Sequence, residues 1–232
     1  MNLLALETST IACSVALARG ERVFERHVVK PKEHTRLLIP MIEGVLADGG
    51  IAPSGLDAIV LGNGPGSFIG IRIAASVAQG LAYAADLKIV PVSSLAAVAA
   101  EAFDRTAAQK VVVAQDAHMN EVYVAGFVKG EQGIPITRKD ALLQPIGRIE
   151  WLANGDAERW HAAGAGWQRY PELLQRNTDR LAGSVDALFP HARYLLAAGQ
   201  AAWQAGAATD PGNLVPDYVR SRVASVPEAR RP

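Results

Sequence analysis

One stretch carries residues whose types and spacing suit anion chemistry: Gly62-Asn63-Gly64-Pro65-Gly66-Ser67-Phe68-Ile69-Gly70-Ile71-Arg72. Four of the chain's 21 glycines fall within its first nine residues. An apolar run of strand type precedes it, and an Ala-rich segment without a breaker follows it to about Ala85, so the loop joins a strand to a helix. Glycine admits positive φ and close backbone approach, and a helix start presents N–H donors backed by the positive end of its dipole. Such a junction suits an anion or a tightly packed neighbour. It is not a P-loop, whose Gly-Lys-Ser/Thr ending is missing. His27, His34, His118, His161 and His191 form no pair three or four apart and no HExxH motif, and Gly66-Ser67-Phe68-Ile69-Gly70 lacks the order of a Gly-x-Ser-x-Gly nucleophile elbow. The reading assigns no catalytic residue and no metal site.

Composition bounds what this loop can belong to. The chain has 232 residues, half of them apolar, enough for a full core. Lys plus Arg and Asp plus Glu are both 23, so no global field draws it to nucleic acid or membrane. The run Leu3 to Leu6 stops at Glu7 and lacks the basic leader and length of a signal peptide, which predicts a cytoplasmic protein with no membrane contact. The single cysteine, Cys13, excludes an internal disulfide and lies in an alternating strand pattern, where it reads as core.

The elements that must position the loop follow in order. Leu3–Leu6, Cys13–Ala18 and Arg22–Val29 read as strands with short connections. From His34 to Asp48, Leu37, Leu38, Met41, Ile42, Val45 and Leu46 form one helical stripe, with a bend or break expected at Pro40. After the loop, Gly70, Ala74, Ala78 and Ala82 make one ridge of small residues and Ser76, Gly80 and Ala84 another. Either could let a second helix approach closely, in a core or at an interface. A strand at Lys88–Val92, a cap at Ser93 or Ser94 and a helix to about Phe103 close this half.

The second half then repeats the first. At an offset of 109 residues, Leu3-Leu4-Ala5-Leu6-Glu7 lies over Val112-Val113-Ala114-Gln115-Asp116, and Cys13-Ser14-Val15-Ala16 over Val122-Tyr123-Val124-Ala125. Gly62-Asn63-Gly64 has its counterpart in Gly164-Ala165-Gly166, after the strand-like run Trp160–Ala163. A repeat this long predicts two facing domains of the same βββαβα type, residues 1–104 and a reduced 105–222. Residues 171–187 read as polar and irregular, 192–208 as one Ala-rich helix, and 223–232 as a poorly ordered tail.

Two halves that each open on a strand, an acid and a short turn resemble the α/β architecture of actin and the sugar kinases, two tandem RNase H-like (ASKHA) domains whose hairpin turns hold a nucleotide's phosphates. The chain resembles more narrowly the bacterial TsaB family, also called YeaZ. The resemblance runs from end to end: Leu4-Ala5-Leu6-Glu7-Thr8-Ser9, Glu33-His34-Thr35-Arg36, Gly64 to Arg72, Asp116-Ala117, Glu121-Val122-Tyr123 and Asp217-Tyr218-Val219-Arg220. The glycine loop with its Phe and Arg is the specific part.

The resemblance implies a partner subunit rather than an enzyme. Such proteins pair with the similar catalytic subunit TsaD and work with the ATPase TsaE. Together they transfer threonylcarbamoyl from threonylcarbamoyl-AMP to N6 of the adenosine beside the anticodon in tRNAs reading A-starting codons. The implied pairing surface is the first two long helices, here His34, Leu37, Leu38, Met41, Ile42, Val45, Arg72, Ala74, Ala75, Ala78 and Ala82. An Ala78→Trp change is then expected to block pairing and leave the fold mostly intact. Without its partner the chain is expected to pair with itself, and tRNA to be met mainly through the complex. The catalytic relative has two histidines four apart on its first helix, whereas here His34 is followed by Leu38, and His34 reads as a capping or packing residue.

The implied phosphate residues are Thr8, Ser9, Thr10, Gly64, Gly66 and Ser67. Ile69 replaces a usual threonine, and His118 and Asn120 replace a usual arginine and glycine, removing groups that would hold phosphate. This implies weak ATP or ADP binding at the seam of the complex, with no cofactor required. Two other classes stand beside this reading. An actin-like phosphotransferase would use Glu7 or Asp116 with a metal-bound nucleotide. An RNA-binding module would use Arg19, Arg22, Arg26, Lys30, Lys32 and Arg36, a run diluted by three glutamates.

Overall fold

Strand β1 (Asn2–Glu7) is apolar at almost every position, which is what a strand covered on both faces requires. It pairs antiparallel with β2 (Ala12–Arg19) and parallel with β4 (Ala58–Gly62), while β3 (Arg22–Val29) and β5 (Lys88–Val92) form the edges. In the computed structural model, which describes residues 1–154 and 158–219, the order β3-β2-β1-β4-β5 recurs in a second sheet as β8-β7-β6-β9-β10. Its strands are β6 (Lys110–Asp116), β7 (Glu121–Lys129), β8 (Pro135–Pro145), β9 (Trp160–Ala163) and β10 (Leu181–Ser184). The repeat extends to backbone detail, since Gly64 and Gly164 both hold φ at 99°.

Alternate residues of each central strand feed different cores. Leu4 and Leu6 meet helices α1 (His34–Gly49) and α2 (Phe68–Ala85), whereas Leu3 and Ala5 meet the C-terminal helix α7 (Arg193–Gln204). Val111 and Val113 meet α3 (Ser94–Arg105). Val112 and Ala114 meet the short helices α4 (Glu150–Ala153), α5 (Ala165–Arg169) and α6 (Pro171–Asn177). Helices α3 and α7 pack on each other between the sheets. Each covers the sheet of the other half.

Several local expectations change. The break at Pro40 does not occur, and α1 runs through it, held on both sides by buried Leu38, Met41, Ile42 and Val45. Residues 171–187 are not irregular but hold α6, a 3₁₀ turn and β10. The last helix ends at Gln204 rather than 208, and the third strand that the βββαβα repeat requires in the second half is β8. Ser93 is the cap of α3, accepting from the Ala96 N–H. Residues 220–232, which include the expected tail and Arg220, lie outside the described residues. By length and composition α2 could cross a bilayer, but its Gly70-Ala74-Ala78-Ala82 ridge is buried against the first sheet, as in a core helix.

A histidine clasp ties α7 to the first sheet. The His27 ring on β3 stacks on His191 at 3.5 Å between centroids. His191 Nδ1 lies 3.3 Å from Glu25 Oε1, and Ala192 N–H donates to Ser14 Oγ. Burial, and next the His191 charge, push His27 down to about 4, from an ordinary 6.5. Burial alone would raise Glu25, but the hydrogen bond and charge of His191, joined by Arg193, outweigh it and hold Glu25 below its usual value. Because the unfolded chain binds a proton at His27 that the folded chain refuses, stability is lost as pH falls from 6.5 toward about 4. We expect this loss to be about 1–2 kcal/mol after allowance for solvent screening. Thermal unfolding at stepped pH should show it, and His27→Gln should flatten the slope between pH 6.5 and 4.5. An unchanged slope would remove His27 as its source.

Candidate functional site

The glycine loop folds onto the β1–β2 turn. Thr8 Oγ1 donates to the Gly70 carbonyl at 2.7 Å, and the Ser67 N–H donates to the Ser9 carbonyl at 2.7 Å. Gly64 N–H donates to Ser94 Oγ, and Gly70 N–H to Ser67 Oγ, capping α2. A Cβ at Gly70 would collide with the Thr8 carbonyl oxygen, and one at Gly66 with Ser9. The glycines thus serve close backbone packing, one of the two uses their spacing allowed. Thr8 and Ser9 are buried, and the Thr8 hydroxyl and the Gly64, Ser67 and Gly70 N–H groups donate inside the chain, while the buried Ser9 Oγ has no hydrogen-bond partner. Of the six residues expected to hold phosphate, Thr8, Gly64 and Ser67 thus each have a donor engaged inside the chain. Thr10 Oγ1 accepts from the Ala12 N–H.

Each strand-ending carboxylate accepts hydrogen bonds within the chain, although the buried Oε2 of Glu7 has no partner. Glu7 is fully buried beside Gly62, its Oε1 accepting from the Ser9 N–H at 2.5 Å; burial, opposed by Ser9 and Ser94, raises its pKa. Asp116 Oδ1 accepts from the His118 N–H and the Tyr170 hydroxyl, each at 2.8 Å. On the basic run, Arg26 pairs with Asp48 and Arg36 with Glu33, Arg19 donates to the closing carbonyls of α1, and Arg22 lies over the Phe24 ring. Among the described residues no three His, Cys, Asp or Glu side chains gather as a metal site.

Where α1 and α2 run side by side, the surface opens into a shallow apolar groove of about 420 Å³. Ile39, Phe68, Ile69, Arg72, Ile73 and Val77 form most of its lining. Ile39 is 43% exposed and Ile69 70%. The stripe expected to meet a partner faces the other way. Leu38, Met41, Ile42, Val45, Ala74, Ala75, Ala78 and Ala82 are buried against the first sheet, and partly buried Leu37 packs on the same core. His34 is buried too, its Nε2 3.2 Å from the Ala12 carbonyl. The reason is that a helix lying on a sheet spends its most continuous apolar stripe on that sheet. Of the expected residues Arg72 is fully on the exposed side, and Leu38 also reaches the groove floor. The other ridge, Ser76-Gly80-Ala84, does face outward, and Tyr83 beside it is 87% exposed. A signal for this face was present in the sequence. Residues 68–85 carry one charge, Arg72, and Ile69, Ile73 and Val77 fall off the buried ridge, so the helix is apolar nearly all round.

Comparison with known proteins shows the family. Residues 28–227 match the family model described as TsaD, tRNA N6-adenosine threonylcarbamoyltransferase. The TsaB protein of Haemophilus influenzae, a tRNA threonylcarbamoyladenosine biosynthesis protein, is 37% identical over 96% of this chain and 95% of its own length. The chain belongs to the TsaB family. Its Escherichia coli relative, also a TsaB, is 34% identical over 97% of this chain and 96% of its own. The solved structure of YeaZ from Pseudomonas aeruginosa superposes with a TM-score of 0.83 at 36% identity, covering 94% of this chain and 99% of YeaZ. A second solved chain, described as uncharacterized with similarity to peptidase YeaZ, gives 0.84 at 37% identity with the same coverage. The two-sheet α/β fold is thus the TsaB fold, and the RNase H-like, actin-type class expected from the repeat holds. The peptidase label finds neither an HExxH nor a Gly-x-Ser-x-Gly sequence in this TsaB chain.

Proposed function

We propose that this chain is the non-catalytic subunit that pairs with a TsaD-like transferase through the α1/α2 groove. With a TsaE-like ATPase, the pair transfers threonylcarbamoyl from threonylcarbamoyl-AMP to N6 of the adenosine next to the anticodon, in tRNAs reading A-starting codons. The observation that carries this reading is the groove. It exposes isoleucines on two adjacent helices of a chain whose core is already complete, and a contiguous apolar patch of this kind marks a protein contact. The outward Ser76-Gly80-Ala84 ridge supports it by admitting a partner helix at close range. Alone, the chain covers the same face with a second copy. Membership in a family of tRNA-modification proteins supports a cytoplasmic location, and the tRNA is met mainly through the complex. The enclosed glycine loop supports a chain that requires no cofactor, with any ATP or ADP held weakly at the seam between subunits.

Reconstitution tests this. Threonylcarbamoyl incorporation into tRNA by the TsaD-like subunit, the TsaE-like ATPase and precursor is expected to depend on this chain, and the chain without the TsaD-like subunit is expected to give none. Equal incorporation without it would refute the subunit role, and ATP turnover by the isolated chain would then favour the phosphotransferase reading.

A further inference from the structure

We propose that Arg72, stacked on Phe68 and held at Nε by Tyr218, is the docking point for a carboxylate on an apolar-faced helix of the TsaD-like subunit; this rests on the pairing proposed above. Arg72 is the one charged side chain of α2 and stands near the positive end of that helix, where a cation adds nothing to helix stability. Its guanidinium carbon lies 3.5 Å from the Phe68 ring centroid and 5.4 Å from that of Tyr218. Its Nε donates to the Tyr218 hydroxyl at 2.9 Å. Phe68 covers one face of the planar group and the Tyr218 hydroxyl takes Nε at its edge, which leaves the two Nη groups as donors in a fork. None of the ion pairs among the described residues involves Arg72.

The Tyr218 contact is built from a distant part of the chain. The segment 211–218 crosses the glycine loop and α2, where Asn63 Nδ2 donates to the Val215 carbonyl, the Asp217 N–H donates to the Asn63 carbonyl, and Gln79 Nε2 donates to the Pro211 carbonyl. These contacts set Tyr218 against Arg72, so the C-terminal strap is a third element of the partner face, beside the two helices. A positive charge fixed in the wall of an apolar groove defines its complement. A purely apolar helix laid on the groove would strip water from the guanidinium and leave it unpaired, whereas a helix with one carboxylate facing the fork pairs it in two parallel bonds. The groove thus selects its partner by charge as well as by apolar contact.

Binding of the full chain to purified TsaD-like subunit, measured by titration calorimetry at low and high salt, tests this. Arg72→Met is expected to weaken binding by about tenfold to a hundredfold and to flatten the salt dependence. Arg72→Lys should restore part of the loss, because an ammonium neither forks nor stacks like a guanidinium. Among amide replacements of the Asp and Glu on the partner's facing helix, one should reproduce the Arg72→Met loss and add nothing when combined with it. Arg72 is exposed, so its variants should melt with the wild type. If the wild type binds and Arg72→Met binds within about twofold of it, or Arg72→Met weakens self-association alone, the carboxylate assignment falls while the pairing stands. A wild type that does not bind overturns both.

Discussion

Ala78→Trp is expected to unfold the chain, the opposite of the outcome expected from the sequence. Ala78 has no exposed surface and sits in the ridge of α2 that lies on the first sheet among Leu6, Ile59 and Leu61. Overpacking a filled core by even a few methylenes costs about 1–3 kcal/mol, and an indole adds a far larger volume at a site where two rigid elements meet. Domain stability is commonly only about 5–15 kcal/mol, so most of it is at stake. We expect little folded, soluble protein, and for what remains a fall in Tm well beyond the roughly 2–4 °C that each kcal/mol brings in a chain of this size. A variant that melts within a few degrees of the wild type would show that the ridge faces outward.

The matching experiment on the exposed side is the double change Ile39→Glu with Ile69→Glu. Both side chains are exposed on the isolated chain, one on each wall of the groove, so the variant should still fold. Docking a partner would bury two carboxylates against apolar atoms, at a cost of several kcal/mol. Pairing with the TsaD-like subunit is expected to weaken by about a thousandfold, roughly 4 kcal/mol, and tRNA modification in the reconstituted system to stop. Sedimentation should show the variant as a monomer at concentrations where the wild type self-associates. Pairing at wild-type strength would move the interface off this groove.

The two experiments differ because one helix has two apolar faces, and the sequence shows that such faces exist without showing which way each points. Periodicity found α1 and α2, and it found the Gly70-Ala74-Ala78-Ala82 and Ser76-Gly80-Ala84 ridges as separate lines. Which ridge meets the sheet depends on the angle at which the helix leaves the glycine loop. That angle is fixed by Ser67 capping the helix, a local contact, and by Gly70 lying against the Thr8 carbonyl, a contact between residues 62 apart. The glycine loop itself was read correctly as a strand-to-helix junction. Of its two uses, anion site or close packing, the second became visible only once Gly66 and Gly70 were seen against the Ser9 and Thr8 backbone.

What the sequence determined by itself was the architecture and the family. The repeat at 109 residues sets two sheets of matching order, because strand alternation and chain length are local properties that survive without knowledge of contacts. Tertiary structure alone decided the exchange of α3 and α7 between the sheets, the continuation of α1 through Pro40, and the lining of the groove. Tyr218 lies 146 residues from Arg72, and nothing in the sequence near either residue reports the other. Their meeting follows from the strap's hydrogen bonds to Asn63 and Gln79, that is, from contacts that exist only after the sheets and helices have packed.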